Sequence, residues 1–287
     1  MKIRSIAVLG ALLAGSVVAI PAAPAFAALS LYRVNAPSAL NDDSSPKTAT
    51  VSCTNPGDHV VGLGGRVNSN TNGKVLMTKS YVDAALTTVT VFGIEAEDAT
   101  TAWSLDAWAI CAPAGNVTGL QLVETTSLPA TTSVGSLTAP CPAGKIALGG
   151  GYRLEEGEGK VAVDELDYDS NLAWVSSTVY PYDTTVGDFT LSTQAICASP
   201  PAHHSLLSAP VTALNSVTPK LSTTGSCPSN TQVAGVGARL DGLTGAGSLD
   251  DLQPKIAQGV GEAEGNEIGA SGSGNSWDLV TEAVCIG

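Results

Sequence analysis

The sequence predicts an all-β protein made of three tandem, small antiparallel units, each closed by its own disulfide. Three observations support this. Six cysteines recur at a fixed period, two longer motifs recur with them, and the segments around them alternate large apolar with small or polar residues, as half-buried strands do. Abundant Thr, Ser, Val, Ala and Gly with few long helix formers favours strands as well.

The period is read from the cysteines. Cys53, Cys141 and Cys227 stand 88 and 86 residues apart, and Cys111, Cys197 and Cys285 stand 86 and 88 apart. After each first Cys comes the form G-x-G-x-R-[VL]. It is carried by Gly62-Leu63-Gly64-Gly65-Arg66-Val67, Gly149-Gly150-Gly151-Tyr152-Arg153-Leu154 and Gly235-Val236-Gly237-Ala238-Arg239-Leu240. Before each second Cys, alternate positions put Trp103, Leu105, Ala107 and Ala109 on one face, then Phe189, Leu191, Thr193 and Ala195, then Trp277, Leu279, Thr281 and Ala283. A large aromatic, a Leu, small residues and a half-cystine thus recur on the face a strand would bury. The units run 28–114, 115–200 and 201–287, either in a row or packed about a pseudo-threefold axis.

Six cysteines allow 15 pairings. Repetition singles out two: within units (Cys53–Cys111, Cys141–Cys197, Cys227–Cys285), or between units in a ring. Pairing within units is preferred, because the ring requires the first unit to meet the last. Each such bridge closes a loop of almost 60 residues, worth about 4 kcal/mol by loop-closure entropy.

The run from Cys141-Pro142-Ala143-Gly144 to Gly151, with its aromatic-x-Leu strand ending in Cys, resembles secreted actinobacterial proteins. Those proteins carry repeated CPxGxxxxGGG…WxLxAxAxC units. Units one and three depart from the form at Thr54-Asn55-Pro56-Gly57 and at Ser229-Asn230. The resemblance implies bacterial origin and export, and carries no activity with it.

Residues 1–27 read as a signal peptide. Lys2 and Arg4 precede an apolar run from Ile6 to Ile20, and Ala25-Phe26-Ala27 is a small-x-small cleavage site. At about 15 residues the run is short for a membrane span, and no other stretch approaches the roughly 20 required. The mature chain is expected to be secreted and extracellular, where cysteines oxidise. Removing two cations and no acids takes the net charge from −13 to −15. An acidic chain without a basic cluster is a poor partner for nucleic acid or anionic membranes.

Chemistry-bearing motifs are scarce. The Gly-x-Gly strands lack a following helix or Lys-Ser/Thr pair, so a nucleotide loop is not indicated; glycine in a strand marks a bulge or a close backbone approach. Arg66, Arg153 and Arg239 share one repeated position. One expectation is that each stacks on its own unit's aromatic (Trp103, Phe189, Trp277); the rival is three copies of a ligand site. His59, His203 and His204 belong to no metal or catalytic motif, and G-x-S-x-G is absent.

Function is sought where the repeats differ. Trp108 stands where the siblings hold Gln194 and Glu282, on the side expected to face solvent, and Trp174 matches Thr88. Both are candidate ligand-stacking residues, with packing between units as the alternative. Glu165, Asp167 and Asp169 alternate along a strand. Asp167-Tyr168-Asp169-Ser170-Asn171 begins like a calcium loop but has Leu172 and Thr178 where that loop needs Gly and Glu. No cofactor is expected beyond a surface Ca2+ at most. Residues 242–274, rich in Gly, Ala, Ser and acid, read as a mobile loop or a drifted copy. These readings favour an extracellular binding protein for a glycan, a cell-surface polymer or a secreted protein partner. The alternatives are a polysaccharide hydrolase using Glu165 and Asp167, and a structural or inhibitory exoprotein.

Overall fold

The structure, a computed structural model, describes residues 29–68, 73–96, 101–157, 159–183, 185–243, 245–268 and 276–287. Residues 1–27, read above as a signal peptide, lie outside them, as do residues 244 and 269–274 of the Gly-rich segment. Among the described residues there is no helix, and so none long and apolar enough to cross a membrane.

Each repeat forms six strands. The first has β1 (Tyr32–Pro37), β2 (Lys47–Ser52), β3 (His59–Asn68), β4 (Val75–Val82), β5 (Thr88–Glu95) and β6 (Ser104–Ala112). The second has β7 (Gln121–Thr126), β8 (Val134–Pro140), β9 (Ile146–Glu155), β10 (Val161–Tyr168), β11 (Trp174–Pro181) and β12 (Thr190–Ala198). The third has β13 (His204–Ser208), β14 (Lys220–Thr223), β15 (Gln232–Asp241), β16 (Gly247–Lys255), β17 (Val260–Glu267) and β18 (Asp278–Ile286). The Gly-rich segment is therefore mostly β16 and β17, not a loop. Its residues are poor strand formers, but they pair along their length with each other and with a neighbouring repeat, and tertiary context overrides propensity.

Within a repeat, strands one, six and three form one half-sheet and strands two, five and four the other. The halves face each other, and the predicted apolar face fills the space between. Trp103, Phe189 and Trp277 are fully buried, as are Leu105, Leu191 and Leu279. Burying each such side chain stabilises by about 1.5–3 kcal/mol. Gly93 on β5 leaves room for Trp103 and Leu105, whose atoms would lie 3.0–3.3 Å from an added Cβ. The disulfides are Cys53–Cys111, Cys141–Cys197 and Cys227–Cys285, at separations of 58, 56 and 58 residues. Each ties the end of strand six in one half to the segment just after strand two in the other.

No half-sheet stands alone. Strand three of each repeat pairs with strand four of another, so three antiparallel six-stranded sheets form: β1-β6-β3-β16-β17-β14, β13-β18-β15-β10-β11-β8 and β2-β5-β4-β9-β12-β7. The seams are short and equivalent in register: Arg66↔Asp251 with Leu252↔Gly65, Glu165↔Arg239 with Leu166↔Ala238, and Lys79↔Arg153 with Ser80↔Tyr152. Repeat one joins three, three joins two, and two joins one, so the arrangement is a closed pseudo-threefold ring. The first repeat does meet the last, and Leu31 N donates to Gln232 Oε1 at 2.7 Å.

At the centre of the ring three glycine backbones touch in rotation. A Cβ on Gly62 would lie 1.7 Å from Ala234 O, on Gly235 2.3 Å from Leu148 O, and on Gly149 2.7 Å from Val61 O. No real Cβ approaches a carbonyl that closely, which explains the first glycine of the repeated motif.

Candidate functional site

Strand four of every repeat carries a β-bulge just before its seam, and the bulge residue is Thr78, Asp164 or Asp250. A bulge re-aims one side chain and bends the strand. Past the seam each strand four crosses over the outer side of its neighbour, which closes over the position held by Trp108, Gln194 or Glu282. Gln194 accepts from Val82 N (3.0 Å) and donates to Val82 O (3.2 Å); Glu282 accepts from Tyr168 N (3.1 Å). Pro254 occupies the matching place over the first repeat and packs on Gly64, the cross-strand partner of Trp108.

This corrects the expectation of an outward Trp108. It is 3 % exposed, and Gln194 and Glu282 are buried too, so the position fastens one repeat to the next. Proline has no N–H for a Gln or Glu to accept, and its carbonyl already accepts from Arg33 Nη1 at 3.3 Å. An apolar ring therefore suits that seam.

The repeated arginines also belong to the seams and do not stack on Trp103, Phe189 or Trp277. Arg66 lies 3.7 Å from Asp251. Arg239 lies 3.6 Å from Asp167 and 3.3 Å from Asp241, and Arg153 lies 2.9 Å from Glu124 and 5.3 Å from the centre of the Tyr81 ring. Cations do cover the two core tryptophans, but they are Lys47 over Trp103 at 4.8 Å and Lys220 over Trp277 at 4.7 Å.

The sheet shared by repeats two and three differs from its siblings on its outer face. Its six strands set six carboxylates (Asp164, Glu165, Asp167, Asp241, Asp278, Glu282) against one cation, Arg239, whereas the sheet shared by repeats one and three sets six carboxylates against four cations. On β11 the alternation places Trp174, Ser176, Thr178 and Tyr180 on this face, Trp174 and Tyr180 half-buried at either end. Six strand residues span roughly 20 Å. Between the two rings Glu165 accepts from Thr178 Oγ1 (3.0 Å) and Ser176 Oγ (3.4 Å). Burial pushes the Glu165 carboxyl up, and burial beside Asp167 pushes Glu282 up to about 8. Beyond Tyr180 a groove of about 340 Å³ opens, lined by Thr131, Ser133, Pro181, Tyr182, Val186 and Gly245 among others.

The calcium-like run resolves into a turn. Asp169 accepts from the backbone N–H of Asn171 (3.0 Å) and Ala173 (3.1 Å), with Leu172 at φ 58°. Its carboxylate is thus separated from Glu165 and Asp167, and among the described residues no three His, Cys, Asp or Glu groups converge on a common metal position. His59 starts β3, and His203 and His204 flank a shallow groove at the opening of repeat three. Asp164 escaped the sequence reading. Aligning the three strand fours, with one extra residue in each, would have put it beside Asp250 and Thr78.

No protein-family model matches the chain, and no curated protein sequence matches it.

Proposed function

We propose that the protein is a secreted glycan-binding protein whose recognition surface is the outer face of the sheet shared by repeats two and three. One observation carries the reading. Two half-exposed aromatics, Trp174 and Tyr180, stand on one row of β11, with the half-buried carboxylates of Glu165 and Asp167 between them, over the buried hydroxyls of Ser176 and Thr178, and a groove at one end. Sugar rings present both apolar faces and hydroxyl edges, and rigid aromatics flanked by polar groups suit both. Trp108 plays no part in this surface. The three disulfides fit an oxidising, extracellular setting.

A hydrolase is the less favoured reading because its proposed carboxylates are already engaged. Glu165 is held by two hydroxyls, and Asp167 shares a hydrogen bond with Glu282 and lies 3.6 Å from Arg239. The test is retention on a panel of insoluble polysaccharides, with supernatants assayed for released reducing sugar. Retention without release is expected, weakened by Trp174→Ala at unchanged melting temperature. Release would establish catalysis instead. Neither retention nor release would leave a structural or inhibitory exoprotein.

A further inference from the structure

We infer that the bound glycan carries free amino groups, and that one ammonium seats beside Asp164 next to Tyr180. This rests on the glycan reading above and adds the chemical class of the ligand.

Two equivalent residues are provided for differently. Asp250 and Asp164 occupy the same bulge position, each 6 % exposed. Asp250 is fully provided for, accepting from Ser248 Oγ at 2.6 Å and Asn266 Nδ2 at 2.7 Å. The residues matching Ser248 and Asn266 around Asp164 are Ala162 and Tyr180, themselves cross-strand partners. Alanine has no donor, and Asp164 Oδ1 is left without one. A buried carboxyl that lacks the donors its sibling enjoys costs stability, and the fold gains nothing from it.

The surroundings sharpen the point. The charged groups acting on Asp164 are Glu165 on its own strand and Asp241 on β15, both acids, and Tyr180 on β11 feels Asp164 and Glu165 in turn. Arg239 is turned to Asp241 and Asp167. Burial first, then these acids, push the Asp164 carboxyl up to about 8. An ammonium arriving there favours the ionised carboxyl, which no cation of the protein pairs with, and the adjoining tyrosine ring offers both a stacking plane and a cation–π contact. The groove beyond Tyr180 has room for the flanking sugars of a chain. Neutral glycans would leave Asp164 unanswered, and acidic ones would be repelled.

The experiment uses the secreted protein with its disulfides intact and compares retention on chitosan, a glucosamine polymer with free amines, on its acetylated form chitin, and on cellulose. Chitosan should be retained at least tenfold better than the other two, and salt should weaken that retention. Asp164→Asn should abolish the preference. Ala162→Ser, which supplies the hydroxyl that Asp250 receives from Ser248, should also abolish it while keeping or raising the melting temperature, so a misfolded Asn variant does not decide the matter. Equal retention on all three polymers, lost in Trp174→Ala but not in Asp164→Asn, would overturn the amine inference and leave glycan binding intact. Retention on none of them would sink both.

Discussion

The seam over Trp108 can be rebuilt by design, and the attempt tests the account of how the repeats are joined. Trp108→Gln installs the residue that repeat two uses, but opposite Pro254, which has no N–H to give and whose carbonyl Arg33 already occupies. The change forfeits part of a buried indole's packing, for which full truncation costs about 3–5 kcal/mol, and strands a buried amide, costing about 1–3 kcal/mol. A loss of about 3 kcal/mol is expected. Pro254→Val alone adds an N–H facing an indole, which cannot accept, and should cost about 1–2 kcal/mol. Together they recreate the bond that Gln194 accepts from Val82 N at 3.0 Å. The double variant should therefore be more stable than the sum of the singles by about 1–2 kcal/mol. Urea unfolding of the four proteins at equal m-value measures this. Strict additivity, or a Trp108→Gln protein as stable as the parent, would refute the reasoning.

Two further outcomes are expected. Gly62→Ala should cost about 3 kcal/mol, because its Cβ would overlap Ala234 O at 1.7 Å, whereas Gly135→Ala, with nothing within 4 Å, should stay within about 0.5 kcal/mol; equal melting temperatures would contradict the close approach at the axis. Stability should also peak at roughly pH 4–5. Burial raises Asp164 and Glu282 to about 8 and Asp250 to about 7, so from about pH 4 upward the folded chain holds protons that the unfolded chain has released, and stability falls until about pH 8. In the other direction, the bond from Lys47 lowers Asp42 to about 2, and its contribution is lost as the pH drops toward that value. A melting temperature that climbs steadily from pH 4 to 8 would rule this out.

Much of this architecture was legible because it is written in local, repeated terms. A cysteine period, a strand that alternates Trp103, Leu105, Ala107 and Ala109, and glycines at fixed offsets all refer to a residue's own strand or unit. The disulfide pairing was inferred correctly, though the premise that the first and last units stay apart was not: they meet, and the bridges are still internal. What escaped detection lies across the seams. Whether position 108 faces water depends on a strand of repeat three, and nothing near Trp108 announces Pro254. The aromatic partners of the core went astray for a related reason, since Lys47 and Lys220 have Val134 as their counterpart in repeat two and so break the pattern that Arg66, Arg153 and Arg239 keep. The acidic face was half seen. Glu165 and Asp167 stood out by alternation, but Asp164 needs the bulge to turn it the same way.

The closed ring has a consequence for ancestry and assembly. Each seam joins two different surfaces, strand three of one unit and strand four of another, and the rotation between them closes after three steps. Such a contact is heterologous in the sense used for oligomers. A single unit carries both halves of it, so a one-repeat chain is expected to associate as a cyclic trimer, and the present molecule is that trimer joined end to end. Fusion frees the copies from identity. All three must keep their seams compatible, but one sheet can set six carboxylates against a single cation while the other two hold four and three cations, something no homotrimer encoded by one short gene can do.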